Sequence, residues 1–351
     1  MPRVIQIDPL SDPRWDALVE SHPFGWLTHT ATWAGILLKS FPHLKPFYLA
    51  LEGESGELQA GLPLMEFRSP LSGNRLVSLP YSTLCDPLVQ NGSELQALLS
   101  AARSLCRQRG LDFLEIRSAR AGELLSTAAD LDCRQDYAWH RLDLRKPLGE
   151  IKRSFSRLVR RCIQRSEREG LEAKPVASGD FPVIWRLYVQ TRWRKGLPTL
   201  PPSFVRSWIE ELVPTGKSWG CIVTDAGRPV SALLTLAFKK RMSAELLGWD
   251  LAVARKSPNH KAYWMAICHA HGRGLEEFDF GRTPIQERPL MEFKNYWGGT
   301  CESFTFAYSP PGVASRRSPN GLVRRLGGWV CRSVPRAVLP AVSRVIYRHT
   351  G

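Results

Sequence analysis

At 351 residues the chain has room for two domains of ordinary size, each with its own core. Its composition, 43% hydrophobic, 10% aromatic and 23% charged, is that of folded globular protein and excludes a disordered or collagen-like chain. An excess of 48 Lys and Arg over 33 Asp and Glu gives a formal charge of +15, which makes polyanions the natural partners. The most apolar run, Val230 to Phe238, is interrupted by Ser231 and Thr235 and falls far short of the ~20 residues a membrane helix needs. The opening residues reach Asp8 before any apolar core forms, so no secretory signal is read and a cytoplasmic protein is expected.

In chain order, a strand at Val4 to Ile7 precedes helices at Arg14 to Ser21 and Thr30 to Phe41. Extended runs follow at Pro46 to Leu51, Leu58 to Phe67 and Arg75 to Leu79. Ser93-x-x-Gln96 reads as a capping box that opens a helix ending at Gly110. Strands at Asp112 to Ile116 and Tyr137 to Leu144 flank a helix near Glu123 to Leu131. A long basic helix is predicted from Leu148 to Glu169, after which the order begins again. A strand at Leu171 to Val176 leads to helices at Asp180 to Lys195 and Pro202 to Leu212. Strands at Trp219 to Thr224, Val230 to Lys239 and Met242 to Trp249 come next, then a helix from Pro258 to Arg273. Strands at Glu276 to Phe280 and Glu302 to Tyr308 close the series. A repeated element order without residue identity predicts two similar α/β (α+β) domains with mixed sheets. The expected boundaries are 1–147 and 171–310, joined by a basic connector helix at 148–170 and followed by a basic tail at 311–351.

Cysteine gives no chemistry: no two of the eight are closer than Cys85 and Cys106, so neither a zinc site nor a disulfide framework is indicated. Charge is more informative. No acid follows Glu302, while arginines stand at 316, 317, 324, 325, 332, 336, 344 and 348. A helical wheel over Gly321 to Ser333 puts Leu322, Leu326 and Trp329 on one face and Arg324, Arg325 and Arg332 on the other, the pattern of an interfacial helix. Residues 316–351 are therefore expected to meet an anionic membrane surface, which makes the protein peripheral on the inner face; a basic disordered tail is the plainer alternative. In the connector, Arg153, Arg157, Arg160 and Arg161 form a basic run suited to nucleic-acid phosphates.

The element order is that of the acetyltransferase (GNAT) fold. Thr30-Ala-Thr-Trp33, Leu79-Pro-Tyr-Ser-Thr-Leu-Cys-Asp86-Pro87, Ser257-Pro-Asn259, Phe278-Asp-Phe-Gly-Arg282 and Phe293-Lys-Asn-Tyr-Trp-Gly298, together with the basic connector, resemble the FemAB-like, BioF-type tandem-GNAT transferases. The resemblance implies transfer of an acyl or aminoacyl group from an activated carrier to an amine acceptor, without a covalent enzyme intermediate. It points to an envelope-, exopolysaccharide- or secondary-metabolite-related acceptor. The donor it implies is aminoacyl-tRNA or acyl-CoA, with no tightly bound cofactor. The sequence departs from the CoA-binding turn of that fold, because Arg255-Lys-Ser-Pro-Asn-His-Lys261 lacks its glycines. From another class, the alternative is a non-catalytic GNAT-fold protein that holds an anionic lipid or nucleic acid.

The resemblance places Lys294 near the reacting carbonyl, where a cation stabilises the developing oxyanion; a solvated surface lysine is the plain alternative. Asp86 is a candidate to accept a proton from the attacking ammonium or to position the amine, or is a turn residue held by its own loop. Asp279 and Arg282, around Gly281, either hold substrate at the sheet's end or pin the turn as a pair. Phe293 and Trp297 are expected to wall the same site. Tyr81, Trp33 and Lys39 are further substrate-binding candidates, as are Tyr188 and Arg192, which share one helix face. Asp86, Asp279, Arg282 and Lys294 are expected to converge on one pocket at the domain junction. No metal is expected, since His269 and His271 lack a third ligand at suitable spacing.

Overall fold

The computed structural model describes residues 2–313 and 322–349, with the side chains of 322–326 outside the description. Its first elements are β1 (Arg3–Ile7), α1 (Pro13–Ser21), α2 (Ala31–Ser40), β2 (Lys45–Glu52), β3 (Leu58–Phe67), β4 (Arg75–Val77), α3 (Gly92–Gln108), β5 (Phe113–Ser118), α4 (Gly122–Thr127) and β6 (Asp132–Asp143). Then come α5 (Leu148–Ser154), α6 (Arg157–Arg168), β7 (Glu172–Pro175), α7 (Phe181–Lys195), α8 (Pro202–Ser207), β8 (Ser218–Asp225), β9 (Arg228–Phe238) and β10 (Arg241–Trp249). The series ends with α9 (Pro258–Gly272), β11 (Glu277–Pro284), α10 (Arg288–Asn295), β12 (Thr300–Ser309), α11 (Leu322–Ser333) and α12 (Leu339–Tyr347).

Two compact units form. The first takes the described residues of Met1–Tyr137, Ser303–Gly321 and Val345–Gly351, and the second takes Ala138–Glu302 and Leu322–Arg344. The division therefore falls at Tyr137 and not at 147, and the basic connector belongs to the second unit. Residues 303–310, expected in the second domain, lie in the first; the end of β6, expected in the first, lies in the second.

In the first unit the sheet order is β1-β2-β3-β4-β5-β12. Pairing is antiparallel from β1 to β4, parallel between β4 and β5, and antiparallel where Thr305 to Ser309 of β12 meet β5. Leu62, Leu64, Leu76, Leu114 and Ala307 of this sheet pack with Leu95, Leu98 and Leu99 of α3 in one buried core. That helix is capped by Asn91, whose side chain accepts the Glu94 N–H while Glu94 accepts the Gln90 N–H, so the box lies two residues before the expected Ser93.

The second unit repeats the arrangement as β7-β8-β9-β10-β11-β6, antiparallel from β7 to β10 and parallel between β10 and β11. At the β8–β9 turn, Ala226 and Gly227 both take positive φ, 48° and 77°, as a two-residue hairpin turn requires. Leu233, Met242, Phe278, Ala262, Ile267 and Trp297 belong to its core. The expected single connector helix is two helices, because Phe155 turns out to an extended conformation and the Ser156 side chain caps α6 on the Val159 N–H. Stretches expected to carry no helix include 288–295, which forms α10.

Helix α7 lies against β10 so closely that a Cβ at Gly248 would stand 2.4 Å from the Tyr188 nitrogen and 2.6 Å from the Leu187 carbonyl carbon. Backbone cannot yield as a side chain end does. Gly248→Ala is therefore expected to destabilise the second unit by about 3 kcal/mol, seen as faster amide exchange in α7 and β10 with exchange in α3 unchanged.

The basic tail is folded where described. The Trp193 indole N–H of α7 donates to the Val334 carbonyl at 2.8 Å, and the Thr199 N–H donates to Ser343 Oγ at 2.9 Å. Cys331 and Leu339 are buried. Of the expected apolar face, Trp329 is 67% exposed, whereas Leu322 and Leu326 fall outside the described side chains. Among the described residues no helix is long and apolar enough to cross a membrane.

Candidate functional site

In the second unit, β10 and β11 stay paired over only three positions, the last being Ser243 with Asp279. Just beyond, the β9–β10 register slips between Ala244 and Leu246, so Glu245 sits in a bulge where β10 parts from β11. β11 leaves its parallel pairing through Asp279-Phe280-Gly281. Gly281 has φ +72°, and its N–H donates to Asp279 Oδ1 at 2.6 Å, which fixes the turn.

Helix α10 returns over this turn and delivers Lys294. Its ammonium donates to the Gly281 carbonyl at 2.6 Å and the Arg282 carbonyl at 3.3 Å, and the side chain is buried. This is not the solvated surface lysine of the plain alternative. Burial pulls its pKa down to about 8, against the opposing pull of the Asp279 and Glu245 charges. Asp279 is pushed up by its own burial; the Arg241 charge, the Trp139 indole and the Gly281 N–H act in the other direction without overcoming it. Beside them, His140 Nε2 lies 3.0 Å from Asn295 Oδ1, and burial together with the Lys294 charge lowers His140 to about 4. The result is a cation held by main-chain carbonyls beside two acids and a neutral imidazole. An ammonium has three hydrogens, and two of these carbonyl bonds leave one for a substrate oxygen.

Glu245, His140, Trp139 and Asn295 were not singled out by sequence reasoning. A bulge, a buried strand histidine and a helix of eight residues leave no periodic signal. Phe293 lies beside Lys294 with its ring 5.4 Å from Tyr263 and 6.1 Å from Trp297. Trp297 is wholly buried among Phe155, Tyr263, Phe280 and His260, so it supports the site from the core.

Tyr188 and Arg192 also lie in this unit. Tyr188 is buried and its hydroxyl accepts the Leu200 N–H at 3.2 Å; the Arg192 Nε donates to the Pro198 carbonyl at 2.8 Å. Both tie α7 to the segment that follows it. Of the connector arginines, Arg153, Arg157 and Arg161 are exposed. Arg160 instead folds back, donating to the carbonyls of Arg153 (2.6 Å) and Phe155 (2.8 Å), and so caps the end of α5. Arg161, Arg165 and Arg168, with Gln164 and Glu167, line an open concavity of about 570 Å³.

Asp86, Tyr81, Trp33 and Lys39 belong to the first unit. Asp86 is buried, and its Oδ1 accepts the Ser118 hydroxyl at 2.6 Å and the N–H groups of Ala119 (2.9 Å), Arg120 (2.6 Å) and Ala121 (3.1 Å). Those are the bonds of a carboxylate that pins a loop, the second of the two roles weighed for it. Tyr81 has φ +62° and stacks on Phe41 at 4.2 Å, and its hydroxyl donates to the Tyr347 carbonyl. Trp33 is buried with its indole N–H on Ser82 Oγ at 2.9 Å, and Lys39 is exposed. Among the described residues no group of His, Cys, Asp or Glu is placed to hold a metal; His269 stacks on Trp219, and His271 lies 3.1 Å from the Lys146 carbonyl.

Residues 153–295, which contain the β10–β11 opening and Lys294, match the family model of the acetyltransferase (GNAT) domain. No curated protein sequence matches the chain. Among solved structures, the chain is similar to FemX, with a TM-score of 0.68 and 16% identity over 87% of this chain and 96% of that one. It is also similar to L-PGS from Bacillus licheniformis, with a TM-score of 0.59 and 14% identity over 94% and 99% of the two chains. A tandem GNAT protein from the clavulanic acid biosynthesis pathway aligns with a TM-score of 0.51 and 10% identity over 89% and 99%. Two units with the same strand order, one of them matched by the family model, identify the chain as an acyltransferase with a GNAT domain at residues 153–295 and the FemAB-like tandem-GNAT fold.

Proposed function

We propose that the protein transfers an aminoacyl or acyl group from an activated carrier to the amine of an envelope-related acceptor, with the carbonyl of the migrating group seated at Lys294. The observation that carries this reading is the buried ammonium at the parting of β10 and β11, fixed by the carbonyls of Gly281 and Arg282. The acceptor amine attacks the carbonyl carbon, the carbonyl oxygen takes up negative charge, and the remaining Lys294 N–H meets it. As the tetrahedral species collapses, the carrier leaves with the electron pair of the broken ester or thioester bond. The proton shed by the amine leaves by way of solvent or the departing carrier.

For the carrier we favour aminoacyl-tRNA. The segment before α9 is a short 3-10 turn, Leu251–Lys256, and α9 opens with Ser257 at φ +61° and Pro258, so it offers no glycine turn for a pyrophosphate. The exposed arginines of α5 and α6 form a stripe suited to a phosphate backbone. With Arg153, Arg157, Arg161, Arg165 and Arg168 each neutralising one phosphate, the affinity for aminoacyl-tRNA should fall roughly 100-fold between 50 and 200 mM salt. Filter binding across that range checks it. An affinity flat with salt, alongside acyl transfer from acyl-CoA, would overturn the choice of carrier and leave the transfer reading standing.

A further inference from the structure

At the end of α7 the second unit holds a cleft of about 240 Å³ that the transfer reaction does not use, lined by Trp193, Arg194, Asp250 and Arg336 among others. Each arginine is laid on an indole. The Arg194 guanidinium lies 4.6 Å from the Trp249 ring centroid, and that of Arg336 lies 4.6 Å from the Trp193 ring centroid. Trp193, the platform of Arg336, is itself fixed by its N–H bond to the Val334 carbonyl, and Arg194 is held by its own bond to the Trp249 carbonyl, so each cation is preorganised.

Among the described residues neither Arg194 nor Arg336 forms an ion pair with an acid. Arg194 Nη1 donates to the Trp249 carbonyl at 3.3 Å, but its Nη2 is buried and has no hydrogen-bond partner among the described residues. Asp250, the acid of the cleft, is engaged elsewhere: Oδ2 accepts Arg228 at 2.5 Å, and Oδ1 accepts the Ala252 N–H at 3.0 Å and Gln190 at 3.4 Å. Burial and the neighbouring Arg336 charge both act against the charged form of Arg194, with Asp250 opposing them. A buried donor without a partner is costly, and two like charges held side by side add to that cost.

We propose that this cleft binds a phosphate group, taken by Arg194 Nη2 and the Arg336 guanidinium together. A phosphate monoester brings about −1.5 to −2 charge and three acceptor oxygens, which suits two guanidinium forks better than a carboxylate does. The inference stands on the geometry of the cleft and is independent of the transfer chemistry. The phosphate comes either from a soluble ester or from a lipid headgroup; Leu251 at the cleft is 51% exposed, and Trp329 and Val338 of the tail segment are 67% and 44% exposed.

Equilibrium dialysis of the full chain against labelled inorganic phosphate at low salt, beside cosedimentation with phosphatidylglycerol–phosphatidylcholine vesicles, tests it. Saturable binding of one phosphate is expected, weakened at least tenfold in Arg336→Gln and in Arg194→Gln and unchanged in Arg206→Gln, whose arginine lies on Phe181 of the same unit. Arg336 is exposed, so its replacement keeps the fold, which a thermal scan verifies. Vesicle binding lost in the same two variants, with inorganic phosphate unbound, supports the site with a lipid headgroup as its source. Binding of neither probe, or binding that Arg194→Gln and Arg336→Gln leave intact or that Arg206→Gln weakens as much, overturns the proposal.

Discussion

Replacing Lys294 by methionine is expected to slow acyl transfer by about 100-fold or more, the size of the loss when one well-placed oxyanion donor is removed. Methionine preserves the length and the apolar stem of the side chain, so the missing quantity is the charge and its hydrogen bonds to the Gly281 and Arg282 carbonyls. Single-turnover release of a labelled acyl group from its carrier measures the rate; circular dichroism checks the fold. The pH profile adds a readout that a merely structural lysine would not give. Burial has brought the Lys294 pKa down to about 8, so the ammonium is present below that pH and is lost above it. Wild-type transfer should therefore hold up to about pH 8 and then fall with each further unit, whereas in Lys294→Arg the falling limb should move upward because guanidinium keeps its proton. His140, lowered to about 4, stays neutral throughout that range and contributes no limb of its own. A wild-type rate that is flat from pH 7 to 10, or a methionine variant with full activity, removes Lys294 from the chemistry.

The largest stability effect is expected at Asp86. One carboxylate oxygen there receives a hydroxyl and three consecutive main-chain N–H groups. Asp86→Ala would leave those buried donors without an acceptor, a loss on the order of 3–5 kcal/mol. Asp86→Asn keeps an acceptor oxygen but not the charge, and should lose about half as much, since bonds to charged groups are roughly twice as strong as neutral ones. Urea unfolding followed by amide exchange in β5 and α4 would show the difference. If Asp86→Ala were as stable as wild type but inactive, a direct part in the reaction would be the better account.

Much of the architecture was legible because strands and long helices leave periodic marks. β3 runs from Leu58 to Phe67 as its residue pattern predicts, and the two units repeat one element order. What escaped had physical reasons. Hydrophobic alternation in Ser303 to Ser309 shows that a strand exists but not which sheet receives it, so its place in the first unit could not be read. The break between α5 and α6 was signalled only by Ser156, a capping residue inside an otherwise helical basic run. Lys294 stands in a quoted motif, but its burial follows from the way α10, a helix of eight residues with polar character and too short for a periodic reading, lays it on the Gly281 turn. Arg194 and Arg336 lie far apart in sequence, and only the folded tail brings them to one cleft.

The strand that completes the first unit has a consequence for the protein while it is being made. Tyr137 emerges from the ribosome long before Ser303, and the whole of Ala138–Glu302 must be translated in between. At about 5–20 residues per second that interval lasts roughly 10–30 s. Throughout it, β5 has no β12 along the edge that Thr305 to Ser309 will occupy, and the core around Leu62 and Leu114 lacks Ala307. An open edge beside an unfinished apolar core is a template for pairing with other nascent chains. The second unit also waits for Leu322–Arg344, but all six strands of its sheet, β6 to β11, have been made by Pro284, so its sheet can close while that of the first unit still has an open edge that needs shelter.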